Sequence, residues 1–265
     1  MTDDPAPTDP AWLRLWLAIP DAVFRVAGLL FFLTFLLGRL PEYAAWPEVG
    51  PWWATAVGVD DDGRTVLGAR QHVPLAKVLV DLTFLLVAVS FAVRLPPRAR
   101  ARHPREIVVP VLVAFWPLLP FLCRDVLTFV GSPWGASLDA LLAYGPLERT
   151  DFLLGVGLVV AGNALDVWGY GTLLRSFSIV AEARELRTVG PYRWVRHPIY
   201  LGQIVAQGGI WLVLVEARAM WAPFYVAFVL MQLYRSRVED GVLEAAFGED
   251  WRAFARRSWW VFPVR

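Results

Sequence analysis

Six strongly apolar stretches, several of them long enough to cross a bilayer as helices, limit the fold of this chain more than anything else. Hydrocarbon about 30 Å thick takes about 20 helical residues to cross. The stretches run from about Asp21 to Leu40, Pro74 to Leu95, Ile107 to Leu122, Asp151 to Leu174, Ile199 to Val215 and Met220 to Leu233. Of the 265 residues 57% are hydrophobic, against about 45–50% in a soluble domain. Mean hydropathy is +0.48. The expected fold class is all-α, a polytopic helical membrane protein with about six transmembrane helices. The third stretch holds Pro110, Pro117 and Pro120, which predict a kinked or broken helix. Only Glu216-Ala217-Arg218-Ala219 separates the last two, so they form an antiparallel helical hairpin.

The basic residues are almost all arginine, Lys77 being the only lysine. They gather after the second stretch (Arg94, Arg98, Arg100, Arg102, Arg105), after the fourth (Arg175, Arg184, Arg187, Arg193, Arg196) and in the tail from Arg235 onward. With six spans these regions share one side. The positive-inside rule makes that side cytoplasmic and places both termini there. Net charge is +1, so no global field points to nucleic acid. The lone Cys123 excludes a disulfide within the chain, and His72, His103 and His197 are too few for a structural zinc site, so no metal is expected.

Three regions follow. Residues 1–20 form an acidic, proline-rich tail without the basic start of a signal peptide, then an interfacial segment with Trp12, Arg14 and Trp16. Residues 21–150 form an N-terminal transmembrane region with a long outer loop. In that loop Thr55 to Val59 and Arg64 to Leu67 flank Asp60-Asp61-Asp62-Gly63 and read as a small extracytoplasmic β-hairpin. The aspartates lack calcium-loop spacing; Trp46, Trp52 and Trp53 suit an interfacial aromatic belt. Residues 151–265 carry the chemistry.

At its centre lies Gly190-Pro191-Tyr192-Arg193-Trp194-Val195-Arg196-His197-Pro198-Ile199-Tyr200-Leu201-Gly202. Desolvating such groups is costly unless they are paired or face a cavity. Pro198 begins a helix, so the free N–H groups of its first turn offer an anion site. Tyr200, Gln203, Gln207 and Trp211 then recur every three or four residues as one polar and aromatic stripe. It reads either as a helix–helix seam held by the glutamines or as a substrate channel, with Gln203, Gln207 and Trp211 lining a route that opens sideways to the lipid. Gly202, Gly208 and Gly209 permit close approach of a helix or a ligand. The triplet Arg-His-Pro also occurs at Arg102-His103-Pro104, read as coincidence in a basic loop.

An amphipathic tail helix follows the last span. Arg235, Glu239 and Leu243 share one face, and Asp240 projects about 100° from Glu239. Glu244, Glu249 and Arg252 read as a surface salt-bridge group. Trp251 and Phe254 lie on one face, which predicts a tail closing over the site.

The motif, followed by Glu239-Asp240, Leu243, Phe247-Gly248, Trp251 and Phe254, resembles the isoprenylcysteine carboxyl methyltransferase family and the related phospholipid methyltransferases. Arg196, His197, Pro198, Tyr200 and Gly202 meet the family's Arg-His-Pro-x-Tyr-x-Gly in full. Its second glutamate is Asp240 here, and Trp260 replaces a late arginine. The resemblance implies methyl transfer from S-adenosyl-L-methionine in a cytoplasmic pocket to a lipophilic small-molecule substrate arriving from the bilayer, with membrane lipids as the other partner. The cofactor pocket would fall on Tyr192, Arg196, His197, Pro198, Tyr200, Gly202 and Glu239. A carboxylate acceptor is favoured because it needs no base, with Arg235, Arg237 or Arg187 to orient it. An amine or hydroxyl would need His197 or Glu239 as proton acceptor. A membrane reductase of the sterol reductase type using NADPH is the alternative, but Ile199 and Gln203 replace that group's asparagine and glutamate. A non-enzymatic membrane protein is a third reading. Asn163 and Asp166 could line a pathway, pair with Lys77, or cap the cavity floor.

Overall fold

The computed structural model describes residues 10–44, 57–59, 65–67, 74–142, 149–213 and 218–262. The expectations for the first residues, the tryptophans of the outer loop, its aspartate turn, Glu216 and Ala217 lie outside them.

A short helix α1 (Ala11–Ala18) leads into α2 (Asp21–Ala44). Strands β1 (Val57–Val59) and β2 (Thr65–Leu67) pair antiparallel, with Gly58 opposite Val66. This is the small hairpin expected. Helix α3 (Pro74–Val93) packs against α2 through Phe32, whose ring stacks on Phe84 and Phe91. The third apolar stretch is broken as its prolines predict. Helix α4 (Pro104–Phe115) gives way to a 3₁₀ turn at Trp116–Leu118, where Pro117 has no N–H to donate, and the chain resumes as α5 (Leu119–Phe129). Helix α6 (Pro133–Leu142) follows.

Helices α7 (Arg149–Leu173) and α8 (Pro198–Val213) form the tightest seam. Glycines make it. A β-carbon at Gly155 would meet the Gly209 carbonyl at 3.0 Å, and one at Gly162 would overlap the backbone of Gly202 and Ala206. Helix α9 (Arg218–Phe247) returns beside α8 as the second arm of the expected hairpin, and Gly208 faces the Tyr225 hydroxyl within it. Gly248, at φ +55°, turns the chain into α10 (Glu249–Arg257), whose Trp251 and Phe254 are buried.

Among the described residues four segments reach the length and apolarity needed to cross a membrane: Asp21–Pro41, Leu75–Val93, Pro104–Phe129 and Leu153–Ser176. Pro198–Val213, the first arm of the hairpin, is apolar but shorter. Leucines such as Leu30, Leu37, Leu122, Leu153 and Leu230 face outward. A soluble monomer does not expose apolar surface of that extent; lipid accommodates it. The chain is a polytopic, integral membrane protein.

The arginine-rich segments meet at one end of this bundle. Asp21 at the start of α2 receives Arg25, Arg94 and Arg184 at 2.8, 2.6 and 3.1 Å. Ala99 and Ala183 form a backbone bridge, and Arg98 lies over the Phe247 ring.

Candidate active site

Gly190, at φ +58°, opens a 3₁₀ turn through Arg193 that buries Pro191 and Tyr192. The chain then turns at Trp194, and Val195 forms an isolated parallel bridge with Trp259. The Arg196 N–H donates to the Trp259 carbonyl at 2.8 Å, and the Trp259 N–H donates to the Trp194 carbonyl at 2.8 Å. The segment after α10 is thus stitched to the motif, and the tail closes over it. Pro198 takes the first position of α8, where its missing N–H costs nothing.

Two side-chain layers result. His197 and Tyr200, one turn apart, stack in parallel with ring centres at 5.2 Å. Helix α9 crosses them with its acidic pair. The Tyr200 hydroxyl donates to Glu239, whose carboxylate lies 3.9 Å from His197 Nδ1. On the other side, His197 Nε2 is 2.9 Å from Asp240, and Arg196 donates to the same carboxylate at 3.3 Å. Asp240 lies about 100° from Glu239, as helical spacing requires, and still meets the motif. The motif reaches both faces of α9, so the 100° between the two carboxylates separates their partners rather than removing one of them. Glu239 keeps 30% of its side chain exposed and fronts a cleft, while Asp240, at 15%, sits behind it.

The cleft is lined by Tyr192, Arg196, His197, Tyr200, Arg235, Glu239, Leu243 and Phe254, and by a wall running from Ser176 to Arg187. Arg235 lies 4.8 Å from the Tyr200 ring centre and donates to the Ile179 carbonyl at 3.0 Å. Arg187 donates to Ser176 and pairs with Glu185 at 2.9 Å. Burial first, and then the nearby Glu239, push the Tyr192 phenol well above its ordinary pKa, so it stays protonated.

Three expected positions fall elsewhere. Arg237 lies over the Trp260 ring at 5.0 Å and does not line the cleft. Pro198 acts by starting α8. Gly202 lies in the α7–α8 seam, where the absent side chain makes room for Asp166. Sequence reasoning missed the wall, notably Ser178, Glu182 and Arg184. Its only signal was a run of charges between two spans, on the motif's side.

Toward the membrane interior lies a chamber of about 340 Å³ that meets the cleft at Tyr170, Phe177 and Arg235. Phenylalanines of α2 to α5 line one side; Asn163, Asp166, Gln203 and Gln207 of α7 and α8 line the other. Gln203 donates to the Tyr170 hydroxyl at 3.2 Å and accepts from Gln232. A smaller aromatic cavity, which includes Trp211, shares Gln207, Ile210 and Phe228 with the chamber. The predicted stripe therefore runs from the cleft at Tyr200, through the chamber at Gln203 and Gln207, to Trp211. Among the described residues no group of three or more His, Cys, Asp or Glu could hold a metal ion.

Residues 155–244 match the isoprenylcysteine carboxyl methyltransferase family, which bears out the resemblance carried by the motif. The match begins in α7 and ends in α9. A similar curated protein is the cobalt-zinc-cadmium resistance protein CzcN of Cupriavidus metallidurans, 33% identical over 121 residues, or 44% of this chain. That alignment spans 50% of the relative's length.

Proposed function

We propose that the chain is a membrane methyltransferase that takes its methyl group from S-adenosyl-L-methionine and gives it to a lipophilic acceptor in the chamber. The carrying observation is the clamp: Arg196, His197 and Tyr200 gripped by Asp240 and Glu239, at the junction of a polar cleft with an apolar chamber.

The groups in the cleft fit that cofactor. Half-exposed Glu239 suits its ammonium, and Arg196 with the first turn of α8 suits its carboxylate. Tyr192, Tyr200 and Phe254 offer ring faces to its sulfonium. When bound, the cofactor supplies an electrophilic methyl group. Glu239 holds and orients. Asp240 keeps Arg196 and His197 in place from behind. Phe254 and the segment after α10 exclude water, which strengthens every charge interaction inside. Arg235, at the opening between the two spaces, positions the acceptor.

The positive-inside rule places the cleft and both termini on the cytoplasmic side. The partners are then a lipophilic small molecule and membrane lipids, without nucleic acid. Calorimetry of the detergent-solubilised protein with S-adenosylmethionine, S-adenosylhomocysteine and NADPH tests the reading. The first two should bind and the third should not. Binding of NADPH alone would favour the reductase class.

A further inference from the structure

Three charged residues line the apolar chamber: Arg39, Asp166 and Arg235. Arg39 pairs with Asp81, and Arg235 donates to Ile179. Asp166 alone of the three has no partner among the described residues. It is 4% exposed, and its Oδ1 is buried against Gly202 without a hydrogen bond. Lys77, the pairing that the sequence allowed, is bonded to Asp81 at 3.1 Å instead. The amides beside Asp166 do not serve it. Asn163 gives its NH₂ to the Val159 carbonyl at 2.8 Å, and Gln203 gives its own to Tyr170. The Asn163 oxygen remains an acceptor, the Gln203 oxygen takes the Gln232 amide, and the Gln232 oxygen is buried without a partner.

A carboxyl in the middle of a span is costly unless something donates to it or neutralises it. Here the chain supplies neither, and the group borders a cavity large enough for a ligand. We propose that Asp166 receives the ammonium group of a lipophilic amine that enters the chamber. The chemistry follows from the surroundings of Asp166 itself: its carboxylate and the Asn163 oxygen favour a cation with N–H donors, while Arg39 is paired with Asp81 and Arg235 stands at the cleft end of the chamber. The depth narrows the class further. Asp166 is ten residues from Ser176, where that candidate span ends, or about 15 Å at 1.5 Å per residue. A phospholipid headgroup belongs at the interface, so the occupant is a compact amine on a hydrophobic body. The inference rests on the methyltransferase reading for one point only, that the chamber's ligand is the acceptor: the ammonium would give one proton to the Asp166 carboxylate, and the freed nitrogen lone pair would take the methyl group as its bond to sulfur breaks. On the same argument the carboxylate acceptor favoured by sequence gives way to an amine.

Native mass spectrometry of the detergent-solubilised full chain, with octadecylamine, octadecanoate and phosphatidylethanolamine as separate probes, tests it without turnover. The unaltered protein should bind octadecylamine roughly tenfold or more tightly than octadecanoate. Asp166→Asn should erase that preference, and Asp166→Glu should keep it. Far-ultraviolet circular dichroism and thermal unfolding of the same samples report whether each variant is folded, and S-adenosylhomocysteine affinity is measured beside them. Equal binding of amine and carboxylate by the unaltered protein overturns the inference, whatever the variants do. So does a preference that survives Asp166→Asn, or tighter binding of phosphatidylethanolamine than of octadecylamine. Asp166-dependent amine binding without S-adenosylhomocysteine binding would leave the amine site standing and remove the methyltransferase reading.

Discussion

The chain contains Arg-His-Pro twice, and the two copies fold alike but meet different surroundings. His103-Pro104 and His197-Pro198 each start a helix, because proline's fixed φ and missing N–H suit the first turn. At the first copy the acid that closes the turn is local. Glu106, three residues on, accepts from the backbone N–H groups of Arg102 and His103 at 2.7 and 3.0 Å, closing the helix end. At the second copy the acids come from another helix, and they take the side chains. Asp240 meets Arg196 and His197, and Glu239 meets Tyr200. The triplet therefore encodes a helix start. What makes one copy a candidate active site is the helix laid across it.

The largest test breaks that crossing. Asp240→Ala leaves Arg196 and His197, both mostly buried, without their shared acceptor, a loss of about 2–4 kcal/mol for a partly buried pair. S-adenosylhomocysteine binding by calorimetry should weaken by roughly a hundredfold or more, while far-ultraviolet circular dichroism still reports a helical protein. Affinity equal to the unaltered chain would detach the clamp from the site. Glu239→Gln comes next. It keeps the shape but removes a charge-assisted bond of about 1.5–3 kcal/mol, or roughly ten- to a hundredfold in affinity. Trp259→Pro probes the stitch from the tail by deleting the N–H that reaches Trp194. About 1 kcal/mol, or roughly fivefold weaker binding, is expected. A loss larger than that of Asp240→Ala would make the tail, not the acidic pair, the main support of the motif.

The smallest effect belongs to the other copy. Glu106→Ala should lower the thermal stability of the solubilised protein by about 1 kcal/mol, the worth of a helix cap, and leave cofactor affinity unchanged. A change in affinity would mean that the two Arg-His-Pro segments are coupled, a connection carried by the Ala181 N–H bond to the Glu106 carbonyl at 2.9 Å.

Much of this was legible in the residues. Apolar runs locate the long helices, three prolines break the third, and Pro198 fixes the start of α8. The motif names the cleft's first wall. What periodicity could not supply was how α9 crosses it. An amphipathic helix has one apolar stripe, so Asp240, 100° from Glu239, read as pointing elsewhere, whereas α9 lies among polar partners on two faces. The second wall was hidden for another reason. Arg184 takes its place through Asp21, 163 positions away, and nothing local in either residue announces the other. Gly202 was assigned to the cofactor pocket by the resemblance alone, since glycine itself permits both kinds of approach and only packing distinguishes them.

The clamp joins residues far apart in order of synthesis. Arg196 precedes Asp240 by 44 positions, and the stitch at Trp259 comes later still. A ribosome adds roughly 5–20 residues per second, so the motif exists for several seconds before its acids do. During that interval its arginines and histidine have only water and lipid headgroups to satisfy them. That favours a motif held at the surface, waiting, over one threaded into the bilayer and later withdrawn. The polarity that makes the site costly to bury also keeps it in reach of the helix that completes it.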